Sequence, residues 1–193
     1  DTLLSSPDVE RREFAKIDAE VFLASATDEE TLKREAADCD ALFVEFAQLT
    51  RNVISALERC KVVVRTAIGY DNIDVKALTE KGIMFANVPD YCIDEVSDHT
   101  IALILACCRK ITALDRQVKS GGWDESVARP MRRVKGLVLG LYGYGKIARL
   151  VARKAQVMGF QVQSYDPFIP AEAMAGDGVQ YAADADALLK TSD

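Results

Sequence analysis

The chain has 193 residues, of which 49% are hydrophobic and 28% are charged, and its formal net charge is -6. These proportions are typical of a globular protein, and the negative charge without a concentrated basic patch argues against a nucleic-acid partner. The longest apolar run, residues 101–108, is too short to span a bilayer, so no membrane partner is expected either.

The cysteines indicate a compartment rather than a site. There are five of them, an odd number, and none has C-x-x-C spacing. This usage favours reduced thiols in a cytoplasmic protein, so we predict neither a disulfide nor a metal site.

Helical and strand patterns alternate through the first half of the chain. Thr27 and Glu30 form a capping box at the start of one helix, and Gly82 ends another. The predicted helices cover residues 7–18, 27–39, 50–58 and 74–81, and the predicted strands cover 20–24, 41–46, 61–65 and 83–86. Such alternation implies a parallel sheet covered on both faces.

A long helix is predicted over residues 95–120, with Asp94 as its cap and Gly121-Gly122 as its end. An apolar stripe along it could bridge two domains or form a dimer surface, and the sequence alone does not separate these uses. The stretch 123–135 is then irregular, and a final helix is expected over 184–190.

A buried strand over residues 137–142 leads directly into the pattern Gly143-Tyr144-Gly145-Lys146-Ile147-Ala148. In this G-x-G-x-x-A form the first glycine makes a tight turn and the second lets a pyrophosphate approach the backbone. Ala148 keeps the following helix close to its strand. The N–H groups at the start of that helix are expected to bind the phosphates.

An acidic residue follows at the expected distance. A second apolar strand, residues 160–165, ends at Asp166, roughly 20 residues after the motif. Its carboxylate could accept hydrogen bonds from both ribose hydroxyls and would repel a 2′-phosphate. The sequence therefore predicts NAD rather than NADP as cofactor. The alternative is that the motif is an unrelated strand-turn-helix and that the aspartate occurs by chance.

Three stretches together resemble the D-isomer-specific 2-hydroxyacid dehydrogenases, in particular the group of D-3-phosphoglycerate dehydrogenase and the C-terminal-binding-protein corepressors. They are residues 64–74 (VRTAIGYDNID), residues 87–99 (NVPDYCIDEVSDH) and the dinucleotide motif with its following Tyr165-Asp166-Pro167. The chain starts at Asp1-Thr-Leu-Leu without an initiator methionine or a clear first strand, so we interpret it as a fragment.

The resemblance implies an α/β fold of two domains: a flavodoxin-like substrate domain, residues 1–92, and the first half of a Rossmann-like NAD-binding domain, residues 93–193. The interdomain helix 95–120 belongs to the second domain, through which the family dimerises. The implied reaction transfers a hydride between nicotinamide and a 2-hydroxy or 2-oxo acid. The alternative is an NAD-sensing interaction protein of the corepressor type.

The resemblance also implies site residues. Substrate binding is expected at Arg65, Ala67, Ile68 and Gly69, where successive N–H groups would hold a carboxylate. Arg65 would add a charged hydrogen bond, although a surface residue at a strand end is the alternative. The expected cofactor contacts are Val96, Gly143, Tyr144, Gly145, Lys146, Ile147 and Asp166. For Val96, beside the nicotinamide, plain core packing is the alternative.

Two residues depart from the family pattern. Ala67 replaces a glycine in the substrate loop, and Glu45 stands where phosphoglycerate-acting relatives carry a basic residue, so a phosphorylated substrate would be repelled. The family's catalytic Arg, Glu and His are expected beyond Asp193, so none is assigned here. His99, the only histidine, falls at the start of the long helix and is expected to be structural.

Overall fold

The chain divides into two structural units between Tyr91 and Cys92. The computed structural model describes residues 6–193, so the start of the chain, where the sequence shows no clear first strand, lies outside the described residues. Helices and parallel strands alternate in both units, which confirms the α/β fold class.

The first unit is built on a parallel sheet of order β1-β2-β3. The central strand is the most buried, with Val63 fully covered, and the helices pack apolar side chains such as Ile54 and Leu78 into the same core. The elements are α1 (Asp8–Phe14), α2 (Glu29–Ala36), β1 (Ala41–Val44), α3 (Arg51–Ala56), β2 (Val62–Arg65), α4 (Val75–Lys81) and β3 (Met84–Asn87).

Two local predictions for this unit were wrong. Residues 20–24 form no strand: the Val21 carbonyl accepts a hydrogen bond from the Arg11 side chain, and Phe22 is 54% exposed. The cap of α2 is Asp28, which accepts from the Thr31 N–H at 3.0 Å, rather than Thr27. A run of acceptors, Thr27 then Asp28, makes the position of such a cap ambiguous in the sequence.

The second unit carries its own parallel sheet of order β4-β5-β6. Its core includes Val151, Ala155 and Met174, all fully or almost fully buried. The elements are α5 (Ile93–Cys108), α6 (Ile111–Lys119), β4 (Val138–Tyr142), α7 (Lys146–Val157), β5 (Gln161–Tyr165), α8 (Ala171–Gly176), β6 (Gln180–Tyr181) and α9 (Ala185–Thr191), with a short 3-10 helix at Glu125–Ala128.

The predicted single helix 95–120 is wrong, because two helices, α5 and α6, cover this stretch. Lys110 has a left-handed backbone with a φ of 54°, which ends one helical path and begins another. Asp94 is not the cap either: α5 begins at Ile93, and Asp94 lies in its first turn. There its charge still favours the positive end of the helix.

Within residues 6–193 the structure contains no helix with the length and hydropathy of a membrane span.

Candidate functional site

The turn between β4 and α7 contains the glycine motif. Gly143 directly follows β4 with a φ of 93°, a conformation that L side chains rarely adopt. Its N–H donates to the Tyr165 carbonyl at 2.7 Å, so the turn is tied to the neighbouring strand β5. Gly145 then precedes the first residue of α7. The sequence therefore predicted both the turn and the start of the helix correctly.

Asp166 adjoins this turn, because Tyr142 at the end of β4 is in register with Tyr165 at the end of β5. Its Oδ2 accepts from the Tyr144 N–H at 2.7 Å and its Oδ1 accepts from the Phe168 N–H at 2.8 Å. The hydrogen bond from Tyr144, followed by that from Phe168, lowers the pKa of the Asp166 carboxyl below its ordinary value. The carboxylate is thus ionised at neutral pH and retains lone pairs for further donors.

The first turn of α7 offers N–H donors to a ligand. Gly145 has no side chain to cap the helix, and among the described residues the N–H groups of Ile147 and Ala148 have no protein acceptor. A Cβ atom at Gly145 would meet no atom within 4 Å, so the backbone there faces open space. Lys146 beside them is exposed. This arrangement suits a phosphate group.

The side chain of Tyr144, a predicted cofactor contact, is held by other residues of the second unit. It is fully buried, and its hydroxyl donates to Asp177 Oδ2 at 3.0 Å. The Arg149 guanidinium lies over its ring, 5.1 Å from the centroid, and Arg149 Nε donates to its carbonyl at 3.3 Å. Burial, and then the hydrogen bond to Asp177, raise the pKa of Tyr144 to about 12. Tyr144 therefore ties the glycine turn to Asp177 and Arg149.

Ser164 is a supporting residue that sequence reasoning missed. Its hydroxyl is fully buried and donates to the carbonyls of Leu141 at 2.9 Å and Gly143 at 3.3 Å. The signal was present, because a hydroxyl in the middle of a buried strand requires a partner. Ser164 thus holds the end of β4 in place beside the turn.

The predicted substrate loop lies in the first unit, directly after β2. Among the residues that the structure describes, the N–H groups of Ala67, Ile68 and Gly69 donate to no protein acceptor. Their carbonyl side is fixed, since Val88 N–H donates to the Ala67 carbonyl at 3.2 Å and Asn87 Nδ2 to the Ile68 carbonyl at 2.8 Å. Consecutive N–H groups of this kind form an anion-binding concavity.

Arg65, at the end of β2, is not the surface residue of the alternative interpretation. Its side chain is only 12% exposed, and Nη1 lies 3.8 Å from Oε1 of Glu45, whose side chain is 10% exposed. Arg65 Nε donates to Asn72 Oδ1 at 3.2 Å. The guanidinium is therefore held by groups of the protein itself, which sequence reasoning did not foresee.

The two remaining residues singled out in the sequence lie on α5. Val96 is 38% exposed, which does not support the alternative that it is plain core packing. His99 is exposed in the same helix. The buried positions of α5 are Ser97 and Ile101 instead. The helix therefore presents Val96 to the surface of the second unit.

The chain belongs to the D-isomer specific 2-hydroxyacid dehydrogenase family, whose catalytic-domain profile matches residues 2–192. This confirms the resemblance drawn from the sequence. Among curated relatives, D-3-phosphoglycerate dehydrogenase of Methanocaldococcus jannaschii is 37% identical over 175 residues, which are 90% of this chain and 33% of that protein.

Two solved structures extend the comparison. D-lactate dehydrogenase from Aquifex aeolicus, complexed with NAD and lactic acid, has a TM-score of 0.84 at 26% identity, over 98% of this chain and 57% of that one. An acyclic imino acid reductase in complex with NADPH and D-arginine has a TM-score of 0.84 at 25% identity, over 100% and 61% of the two chains. The chain thus spans less than two thirds of each of these relatives.

Proposed function

We propose that the protein is an NAD-dependent oxidoreductase acting on a D-2-hydroxy acid or the corresponding 2-oxo acid. The observation that carries the proposal is the ionised Asp166 beside the glycine turn, together with the N–H groups of Ile147 and Ala148, which have no acceptor within residues 6–193. We take the second unit as the NAD-binding domain and the first as the substrate domain. No observation favours the corepressor alternative.

The residues of the second unit fit a dinucleotide. Open space over Gly145 and the N–H groups of Ile147 and Ala148 suit the pyrophosphate, while Asp166 suits the ribose hydroxyls. NAD, when bound, accepts or donates the hydride. The solved D-lactate dehydrogenase relative holds NAD, whereas the imino acid reductase relative holds NADPH. The Asp166 carboxylate favours NAD here, since it would repel a 2′-phosphate.

The first unit would orient the acid. The N–H groups of Ala67, Ile68 and Gly69 are proposed to bind the carboxylate that every 2-hydroxy and 2-oxo acid carries. Holding this group at the backbone fixes the neighbouring C2 atom, where the hydride is added or removed. The side chain of the acid is left open by this argument, so the substrate must be found by assay.

The test is NADH oxidation by the full-length protein with a panel of 2-oxo acids that differ in side-chain size and charge. We expect turnover with at least one acid and a clear preference for NADH over NADPH. The variant Gly69→Pro removes one of the proposed N–H donors. It should raise the KM for the 2-oxo acid more than it lowers kcat. Absence of turnover with every acid would contradict the proposed reaction.

We further propose a homodimer formed through α5 and α6. Three apolar side chains of these helices, Leu103, Ile111 and Val118, are each more than half exposed, at 55%, 52% and 54%. Large exposed apolar patches are characteristic of interfaces. Sedimentation velocity of the full-length protein should show a dimer, and a monomer at micromolar concentration would contradict it.

The free cysteines support a cytoplasmic location as the accompanying proposal.

A further inference from the structure

The ends of β1 and β2 carry a buried pair of opposite charges. Val44, the last residue of β1, is in register with Arg65, the last residue of β2, and Glu45 directly follows Val44. This register brings the Glu45 carboxylate and the Arg65 guanidinium to 3.8 Å from each other, with both side chains about nine-tenths covered. The two charges therefore face one another where solvent screens them weakly.

Further contacts fix both members of the pair. Thr66 Oγ1 donates to Glu45 Oε2, and Arg65 donates to Asn72 Oδ1 at 3.2 Å and to the Val44 carbonyl at 3.5 Å. Asn72 is itself held, since its Nδ2 donates to the Ala47 carbonyl at 2.8 Å. The Glu45 carboxylate therefore balances the charge of the Arg65 guanidinium within the protein.

The proposed carboxylate site begins one residue further on. Thr66, which contacts Glu45, is followed directly by the N–H groups of Ala67, Ile68 and Gly69. These groups carry partial positive charges that can bind a carboxylate. A second anionic group on the same ligand would meet the neutral Arg65–Glu45 pair, and would gain no counter-charge from it.

We propose that Glu45 is a specificity-determining residue that selects 2-oxo acids with a single negative charge over those with a second anionic group. The inference rests on the proposed function, because it assumes that the loop after Thr66 binds the acid. Glu45 acts by cancelling the charge of Arg65. A neutral residue in its place would leave one net positive charge beside the site.

The experiment measures binding rather than turnover. The full-length protein is titrated by calorimetry with pyruvate and with 3-phosphonooxypyruvate at fixed ionic strength, in the presence of NAD, the oxidised cofactor, which cannot reduce either acid. The wild-type protein should bind pyruvate at least as tightly as it binds the phosphorylated acid. Glu45→Gln should lower the Kd of the phosphorylated acid about 5- to 20-fold relative to that of pyruvate. The control is Asp40→Asn, which also removes one negative charge. Asp40 directly precedes the first residue of β1, at the end of the strand opposite to Glu45, and pairs with Arg59.

The outcomes separate cleanly. A wild-type protein that binds the phosphorylated acid more tightly than pyruvate overturns the proposal without any variant. The proposal is also overturned if Glu45→Gln changes the Kd of both acids by the same factor. It is overturned as well if Asp40→Asn shifts the ratio of the two Kd values as much as Glu45→Gln does. If the Kd ratio shifts as expected while no 2-oxo acid oxidises NADH, the charge selection stands and the proposed reaction fails.

Discussion

At the scale of single residues, Asp166 can act on the protein and on a ligand at once. Its two oxygen atoms accept backbone hydrogen bonds from Tyr144 and Phe168, which orient the carboxylate and keep it ionised. Each oxygen retains a lone pair for a ribose hydroxyl. The spacing in the sequence predicted an acid here, but not the hydrogen bond that ties it to the glycine turn.

Replacing Asp166 with Ala should weaken NAD binding by roughly tenfold or more, since charge-assisted hydrogen bonds to the ribose are lost. The affinity for NADP should fall less or rise, because the repulsion of the 2′-phosphate disappears. Titration of the full-length protein with both cofactors measures this. Asp186→Ala, an acid of the first turn of α9, is the control and should change neither affinity. Equal affinity of the wild-type protein for NAD and NADP would contradict the role of Asp166.

Because of Tyr144, the free energy of unfolding should depend on pH in the alkaline range. The fold favours its protonated hydroxyl, so the stabilisation is complete below pH 10.0, the ordinary pKa, and is lost as the pH rises through about 12. Tyr144→Phe should lower the free energy of unfolding at pH 8 by about 1–2 kcal/mol, because the hydrogen bond to Asp177 is lost. The difference from wild type should shrink by pH 11.

Urea unfolding at pH 8 and pH 11 measures both values. The exposed Tyr181 of the same unit provides the control, and Tyr181→Phe should have little effect at either pH. A difference between Tyr144→Phe and wild type that stays constant with pH would show that the hydroxyl is not held in its protonated form by the fold.

At the scale of secondary-structure elements, the sequence predicted what depends on local residue type and missed what depends on packing. Gly82 ended α4 as expected, because its φ of 73° suits glycine. The break between α5 and α6 occurs at Lys110, a residue without any preference for a left-handed backbone. No residue type marked that position, so the apolar stripe was wrongly continued through it.

The two glycines of the β4–α7 turn should respond differently to substitution. Gly143→Ala forces a side chain into a left-handed backbone and should cost about 1–2 kcal/mol of stability. Gly145→Ala should leave the stability unchanged within about 0.5 kcal/mol, since its φ is -78° and its Cβ meets no atom within 4 Å. The same Cβ should lower NAD affinity roughly tenfold or more, because it occupies the approach of the pyrophosphate.

Thermal unfolding and NAD titration of each variant test this contrast. Gly176→Ala, at the end of α8, is the control: its Cβ also meets no atom within 4 Å, and neither stability nor affinity should fall. If Gly145→Ala bound NAD as the wild type does, the phosphates would not lie over this turn.

At the scale of the whole molecule, each compact unit has a separate apolar core and a separate parallel sheet. The alternation of apolar strands and helices was enough to predict the first sheet, and the strand, glycine turn and helix at residues 137–148 predicted the second, but not its strand β6. It was not enough for residues 20–24, because a strand also needs a hydrogen-bonded neighbour, which a local pattern does not specify. The charged pair of Arg65 and Glu45 was missed for the same reason: it depends on the register between two strands.

The second unit should fold and bind nucleotide on its own. Residues 92–193 contain the whole glycine turn, Asp166 and a core that includes Val151 and Met174, and their length of about 100 residues lies in the range of independently folding domains. Expressed alone, this segment should unfold cooperatively in urea and bind adenosine diphosphate. The Asp166→Ala form should fold equally well and bind it roughly tenfold more weakly. A segment that lacks a cooperative transition would show that its core is incomplete, and a folded segment that ignores adenosine diphosphate would remove the nucleotide from this turn.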